Sequence, residues 1–415
     1  MNMEDYMIAK ESIGLIFQFH RKKQKKTLKE VSEQIGCSIS RLSKFENGQQ
    51  FFNQTEIVKL YNCIGMNYVT NSRIHQELLN LIQDILNEIV KEGYALSLDS
   101  VLEKIEHMLL FDEYYFAIDL IKMMKSIYQD NNYDDSKKYK NHLEQYVHYL
   151  PKDFLMIVYK CFGLVEEKNG NWNNALHYYE LASQYEDKDV HRALIDYHRG
   201  RAYCYCGKSN ESLKYLEWSQ NIFAEHFYFY RVLLCALQRG IVYFNQSNYE
   251  KAIGLFEDLW DIVNRNSNYS MLRERVLINY LWSYLCANKN EKLLSLVESV
   301  HDDLRKTFHY NLCSGIVYSR INDKRKSKYF FARAKHLMND KSERIIYYIR
   351  AYDCLFNDDY TSFKQMMKLA IDECKKVNDT QLLSYFYEEL VYISRNYEMI
   401  EDEIFYRRLL IHYKK

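Results

Sequence analysis

The chain has 415 residues, 47% of them hydrophobic, which is enough apolar material for more than one buried core and excludes a disordered chain. One proline and 12 glycines leave the two strongest helix breakers scarce, so an all-α protein is expected and a turn-rich β architecture is excluded. The 56 basic and 56 acidic side chains cancel, yet residues 10–60 hold ten Lys/Arg against five Glu, a basic end on a slightly acidic body.

The polar start MNMEDYM lacks the charged-then-apolar pattern of a secretory signal, and no apolar run reaches the roughly 18–20 residues that span a bilayer. A cytoplasmic protein without a membrane partner is expected, and its ten irregularly spaced cysteines read as free thiols. From Ile13 to Asn62, apolar residues mark short helices at Ile13, Ile16 and Phe17, at Leu28, Val31 and Ile35, at Leu42 and Phe45, and at Ile57, Leu60 and Tyr61. Thr27, with Glu30 three residues on, is a capping box that starts the second helix, and Gly36 ends it. Ser38 caps a third helix that stops at Glu46-Asn47-Gly48. Val31, Ile35, Leu42 and Phe45 form the inner face. Two short helices around a glycine turn, in basic surroundings, make a helix-turn-helix layout.

The strings TLKEVSEQIG and SISRLSKFENG resemble the Cro/C1-type (XRE) helix-turn-helix, and the RLSKFENG ending is similar to the Rgg/MutR group of Gram-positive regulators. Leu28 stands where the Cro/C1 pattern usually has Gln, which removes one phosphate contact. The resemblance implies a DNA-binding domain over residues 1–66, with Ile39, Ser40, Arg41 and Lys44 meeting base edges from the outer side of the third helix. Arg41 suits a guanine, Ile39 a thymine methyl, and Ser40 either base. Lys22, Ser38 and the backbone near Gln49 are assigned to phosphates. Lys23, Lys25 and Lys26 read equally well as diffuse phosphate attraction or as ordinary solvated charge. One such module reads few base pairs, so a homodimer on a two-fold symmetric double-stranded site is expected.

Residues 67–91 read as a linker near Tyr68–Arg73 followed by a connecting helix from about Ile74 to Lys91. Over 92–415 the chain is self-similar with a period somewhat above the roughly 34 residues of a tetratricopeptide (TPR) helix pair. One unit reads Gly163, Gly170-Asn171-Trp172, Ala175, Tyr179 and Ala182. It recurs as Gly200, Tyr203, Gly207, Ser212 and Leu216, and again as Gly240, Tyr243, Asn248-Tyr249, Ala252 and Phe256. A weak copy lies around Leu281 and Tyr284, and stronger ones at Gly315, Tyr318 and Phe331 and at Ala351, Tyr360 and Met367. An earlier copy begins at Ile105, with Tyr114, Ala117 and Ile121. Small residues let paired helices touch while large ones fill the space between them. The spacings resemble TPR pairs stacked in a right-handed superhelix, with a helix near Asp402–Tyr413 as its cap.

The inward positions of such a stack combine apolar residues, among them Leu312, Ile316, Tyr348 and Tyr352, with polar ones. Arg201, Gln238, Asn245, Arg275, Asn279 and Trp282 are the peptide-binding candidates: amides pair with a peptide backbone, and arginine holds a carboxylate. The whole arrangement resembles the RRNPP superfamily of quorum-sensing receptors, with PlcR-like or arbitrium-receptor-like repeats. That resemblance implies a transcription regulator whose TPR domain binds a short signalling peptide and so gates DNA binding. The alternative is a DNA-binding regulator whose repeats dock a protein partner. Gly207-Lys208-Ser209 imitates a phosphate loop but falls at a repeat turn, and no partnered Ser, Cys or carboxylate arrangement is expected at His191, His198 or His226. Cys204 and Cys206, two apart on a helix, do not share a face. No enzyme activity, catalytic residue, cofactor or metal is expected.

Overall fold

The scarcity of helix breakers is expressed directly, since the described residues form 22 α-helices and no strand. The computed structural model describes residues 10–66, 72–93, 95, 97–108, 115–130, 132–145, 147, 150, 152–185, 189–338, 343–376 and 380–413. By packing, the chain divides into two units, Met1–Cys235 and Ala236–Lys415.

The first unit opens with α1 (Lys10–Lys23), α2 (Leu28–Ile35), α3 (Ile39–Glu46) and α4 (Gln54–Cys63), packed around Phe17, Val31, Leu42, Phe45, Leu60 and Tyr61. Local chemistry sets the helix ends where the sequence places them. Thr27 and Glu30 close a reciprocal capping box, Gly36 takes the left-handed conformation at φ 72°, and the Ser38 hydroxyl accepts from the Arg41 backbone N–H at 3.1 Å. Ile35 is half-buried at the edge of this core. Gly14 lets α1 lie on α3, because a Cβ there would stand 1.8 Å from the Phe45 carbonyl oxygen.

Then come α5 (Ser72–Glu92), α6 (Leu98–Met108), α7 (Tyr115–Tyr128), α8 (Tyr133–Glu144), α9 (Lys152–Lys168), α10 (Trp172–Ala182), α11 (Asp189–Tyr205) and α12 (Ser209–Glu225). Tyr68 of the expected linker and Tyr114 of the earliest repeat lie outside the described residues. The connecting helix α5 is bound to the repeats of its unit. Buried Arg231 donates through Nε to the Val90 carbonyl at 2.8 Å and through Nη2 to that of Ile89, which satisfies carbonyls in the last turn of α5. Gln83 and Asn87 of α5 meet the His191 ring.

The unit boundary falls within α13 (Phe229–Asn245), and the second unit continues with α14 (Tyr249–Arg265), α15 (Ser270–Cys286), α16 (Asn290–Ser299), α17 (Phe308–Arg320), α18 (Lys324–Leu337), α19 (Glu343–Leu355), α20 (Tyr360–Lys376), α21 (Thr380–Asn396) and α22 (Ile400–Tyr413). The repeat spacing has a direct physical expression. A Cβ on Gly163 would lie 2.4 Å from the Tyr179 ring, on Gly200 2.7 Å from Leu216, on Gly240 2.4 Å from the Phe256 ring, and on Gly315 2.8 Å from the Phe331 ring. Each first helix gives up a side chain so that a large residue of the second can fill the gap. Ser212 and Ser327 add a bond across their pairs, donating to the Gly200 and Gly315 carbonyls at 2.7 and 2.6 Å. Gly207-Lys208-Ser209 forms the turn between α11 and α12, with Gly207 at φ 75°. The helix read as a cap, α22, is the second member of a pair with α21. All ten cysteines are free and five are buried. No helix among the described residues is long and apolar enough to cross a membrane.

Candidate nucleic-acid interface and ligand-binding residues

The outer face of α3 follows from what its inner face must do. Leu42 and Phe45 are spent on the core, which turns Ile39, Ser40 and Lys44 to solvent, and Ile39 is 47% exposed. Lys22, in the last turn of α1, and Gln49, just past α3, are also exposed, and Ser38 is engaged as the cap.

Arg41 is held more firmly than its sequence position suggests. Its guanidinium stacks over the Phe52 ring at 4.4 Å and meets the Glu56 carboxylate at 2.9 Å. Glu56 also accepts from the Asn53 backbone N–H, and that bond first, with Arg41 adding to it, holds its carboxyl below the ordinary range. The arginine is thus oriented by α4 while its side chain stays 39% exposed.

The buried pair Arg21–Glu46 escaped the sequence reading. Arg21 had counted toward a basic surface, but Nε and Nη2 grip the two Glu46 oxygens at 2.6 and 2.7 Å, and Nη1 donates to the Lys26 carbonyl. The signal for it was Glu46 itself, a carboxylate next to Phe45 on the buried side of a short helix, where it needs a cation. Lys26, left open between phosphate attraction and solvation, donates its ammonium to the Cys63 carbonyl.

Of the peptide-binding candidates, Arg201 is in the first unit and is already committed. It meets Glu167 at 2.8 Å, and that carboxylate also accepts from the Tyr179 hydroxyl at 2.8 Å and faces His198 Nδ1 at 3.6 Å. Burial alone would raise the Glu167 carboxyl, but Arg201 holds it well below the carboxylate range. Burial drives the His198 imidazole the other way, keeping it neutral against the pull of Glu167.

The remaining five candidates fall on two first helices of the second unit. Gln238 and Asn245 are seven apart on α13, and Arg275, Asn279 and Trp282 make a stripe on α15. Gln238 is buried, and its Nε2 has no hydrogen-bond partner among the described residues. Arg275 and Asn245 are exposed. Asn279 donates to the Arg275 carbonyl of its own helix at 2.7 Å, and Trp282 sets its ring edge-on to Tyr385 at 4.7 Å.

Leu312, Ile316, Tyr348 and Tyr352, expected to line a groove, are completely buried. Helix α21 covers the two tyrosines: Tyr348 bonds Tyr385 at 2.8 Å, and Tyr352 donates to Glu389, which also takes Arg320 at 2.5 Å. These residues, expected among the apolar inward positions, are instead core, and their hydroxyls satisfy one another and a buried carboxylate.

In fold, this chain is similar to a quorum sensor. The apo form of the quorum sensor NprR from B. thuringiensis aligns with a TM-score of 0.64 at 14% identity, covering 82% of this chain and 98% of that one. Apo RapI aligns at 0.61 and 16%, covering 82% and 97%. NprR in complex with its cognate peptide NprX aligns at 0.56 and 13%, covering 82% and 100%. At these identities the likeness is one of fold, a TPR-like stack of helix pairs. No protein-family model matches the chain, and no curated protein does.

Proposed function

We propose that this chain is a cytoplasmic, DNA-binding transcription regulator of the RRNPP type, whose repeat domain binds a short peptide that gates DNA binding. The observation that carries the DNA half is the presentation of α3, whose Ile39, Ser40 and Lys44 face water while Phe52 and Glu56 aim Arg41 alongside them. An apolar residue, a hydroxyl and two cations on the opening turns of one helix suit a major groove. The peptide half is supported by the fold shared with NprR, which has been captured with a cognate peptide. On this chain, the exposed Arg275 and Asn245 and the buried Gln238 amide are residue types that supply the donors and acceptors an extended backbone requires. The XRE-type module acts as a homodimer on a two-fold symmetric site.

The test is to capture and sequence genomic fragments with the purified protein at physiological salt. Recovery of a dyad-symmetric site beside a short reading frame for an exported hydrophobic peptide is the expected result. Replacing Arg41 by Ala should then cost about 1–3 kcal/mol of affinity for that site at matched salt. An unchanged affinity sinks the assignment of α3. A chain that binds its site but no peptide supports docking of a protein partner instead.

A further inference from the structure

The charge of the chain sums to zero, yet α18 carries six Lys/Arg in 14 residues and no carboxylate. Its inner face is spent on the core through Ser327, Phe331 and Ala334. The opposite face presents Arg325, Lys328, Tyr329, Ala332, Lys335 and His336, all exposed and at the spacings of one helix face. Aromatic rings orient three cations of the helix without cancelling their charge. Lys326 lies over Tyr318 at 4.8 Å, Lys328 over Phe356 at 5.3 Å, and Arg333 over Tyr329 at 5.7 Å. The neighbouring carboxylates are engaged. Asp323 accepts from the Lys326 backbone N–H at 3.0 Å as the helix cap, Asp358 pairs with Lys324 at 3.3 Å, and Glu298 accepts from the Tyr318 hydroxyl at 3.3 Å. Among the described residues, Lys324 is the one cation of α18 with a carboxylate partner.

A row of like charges calls for an anionic partner, and the rest of its chemistry says which kind. The apolar side of α18 is already buried in the repeat, so the helix has none to lay into a membrane. Lysine is depleted from the centres of protein interfaces, whereas four of these six cations are lysines. Phosphates ask for little beyond mobile cations within reach. From Arg325 to Lys335 the row runs about 15 Å at the rise of an α-helix, and each strand of a duplex offers a phosphate about every 3.4 Å of its axis. Ala332, midway along, lets a strand lie close. We propose that the outer face of α18 contacts the phosphate backbone of double-stranded DNA. It gives the second unit a sequence-independent, salt-sensitive grip of its own. Phosphates carry no sequence, so this contact does not rest on the base reading assigned to α3.

The experiment is fluorescence anisotropy of the full chain with a short labelled duplex of scrambled sequence, between about 50 and 200 mM salt. The triple variant Arg325→Gln, Lys328→Gln, Lys335→Gln should reduce the slope of log affinity against log salt by about 2–3, and weaken binding at the low-salt end at least about tenfold. Lys335→Gln alone should reduce the slope by about 1, which keeps the test open if the triple variant does not fold. A control triple, Lys152→Gln, Lys214→Gln, Lys292→Gln, removes as much charge from exposed positions elsewhere and should leave the slope as it is. The proposal is overturned if the parent does not bind the duplex at low salt, if the α18 variants keep the parental slope, or if the control triple lowers it equally. Labelled polyglutamate probes for an acidic protein partner instead: loss of polyglutamate binding by the α18 variants with the duplex slope intact would assign the face to protein docking. The same drop in slope is expected when Arg41 and Lys44 are both replaced by Ala, so failure of α3 to bind DNA and failure of α18 give different results.

Discussion

Arg21 and Glu46 put two formal charges where their side chains are 7% and 1% exposed, a placement that succeeds only because the guanidinium fork fits both carboxylate oxygens. Arg21→Ala should therefore cost about 3–5 kcal/mol in urea unfolding, since Glu46 stays behind unpaired, whereas joint replacement by Met and Leu should come within about 2 kcal/mol of the parent. Equal losses in the two variants would show that the pair's charge is not what matters. His20, next in sequence, gives a pH dependence. Burial chiefly, and then Lys23, lowers its imidazole to about 4 from an ordinary 6.5. The unfolded chain is thus protonated first on acidification; this contribution to stability is whole above pH 6.5 and is lost as pH falls from there toward about 4. At pH 5 the loss amounts to about 2 kcal/mol, and a His20→Gln variant should show that much less acid destabilisation than its parent. Parallel pH profiles would refute this. Beyond the hint that Glu46 lies on the buried side of α3, neither feature was legible in the sequence, for a shared reason: whether a charged residue on a short helix faces water or a partner depends on how the helices dock. Glu46 finds its cation 25 positions away, and Arg41 finds Phe52 and Glu56 only when α4 folds back.

Helix ends and helix pairs, by contrast, are written in neighbouring residues. Thr27, Glu30, Gly36 and Ser38 fix the ends of α2 and the start of α3 through contacts three or four residues long, and such contacts survive any tertiary arrangement. The Gly-to-large spacing of the repeats was legible for the same reason, because a helix, a tight turn and a second helix fix which residues meet. Two glycines of the second unit test that logic. Gly240 and Gly254 both lie inside helices, but a Cβ on Gly240 would meet the Phe256 ring at 2.4 Å, whereas nothing lies within 4 Å of one on Gly254. Gly254→Ala should stabilise the fold by up to about 1 kcal/mol through helix propensity alone. Gly240→Ala gains the same propensity but forces apart a packed pair, a cost of about 1–3 kcal/mol, so its net effect should be neutral to destabilising. Midpoints of denaturant unfolding for the two variants decide the matter, and a more stable Gly240→Ala would mean that the pair is looser than its geometry. What neighbouring residues do not encode is which first helices remain accessible. Tyr348 and Tyr352 have the pattern of groove residues and became core because α21 lies across them.

At the scale of the molecule, the periodicity runs through Gly200 and Gly240 with no mark of the packing boundary at Cys235, because a repeat records only its contacts with its neighbours. The proposed function turns on whether a peptide bound to the repeats is felt at α3, and thermodynamics restricts the answer. A peptide alters DNA affinity only through a difference in its own affinity for the free and DNA-bound protein. If it changes the duplex Kd by some factor, the duplex must change the peptide Kd by that same factor, about 5- to 150-fold for typical couplings. The expected outcome, by fluorescence anisotropy with a labelled peptide from the reading frame beside the captured site and then with a labelled duplex, is two equal factors different from one. Both titrations belong in the same buffer, since phosphate contacts make duplex affinity fall steeply with salt. Factors of one in both directions would leave peptide binding without a regulatory role and shift the function of the repeats to docking a protein. Light scattering on the same samples should give twice the mass of the chain. A monomer with and without duplex would remove the two-fold site, and any effect of the peptide would then have to be on the affinity of a single α3 rather than on the spacing of two.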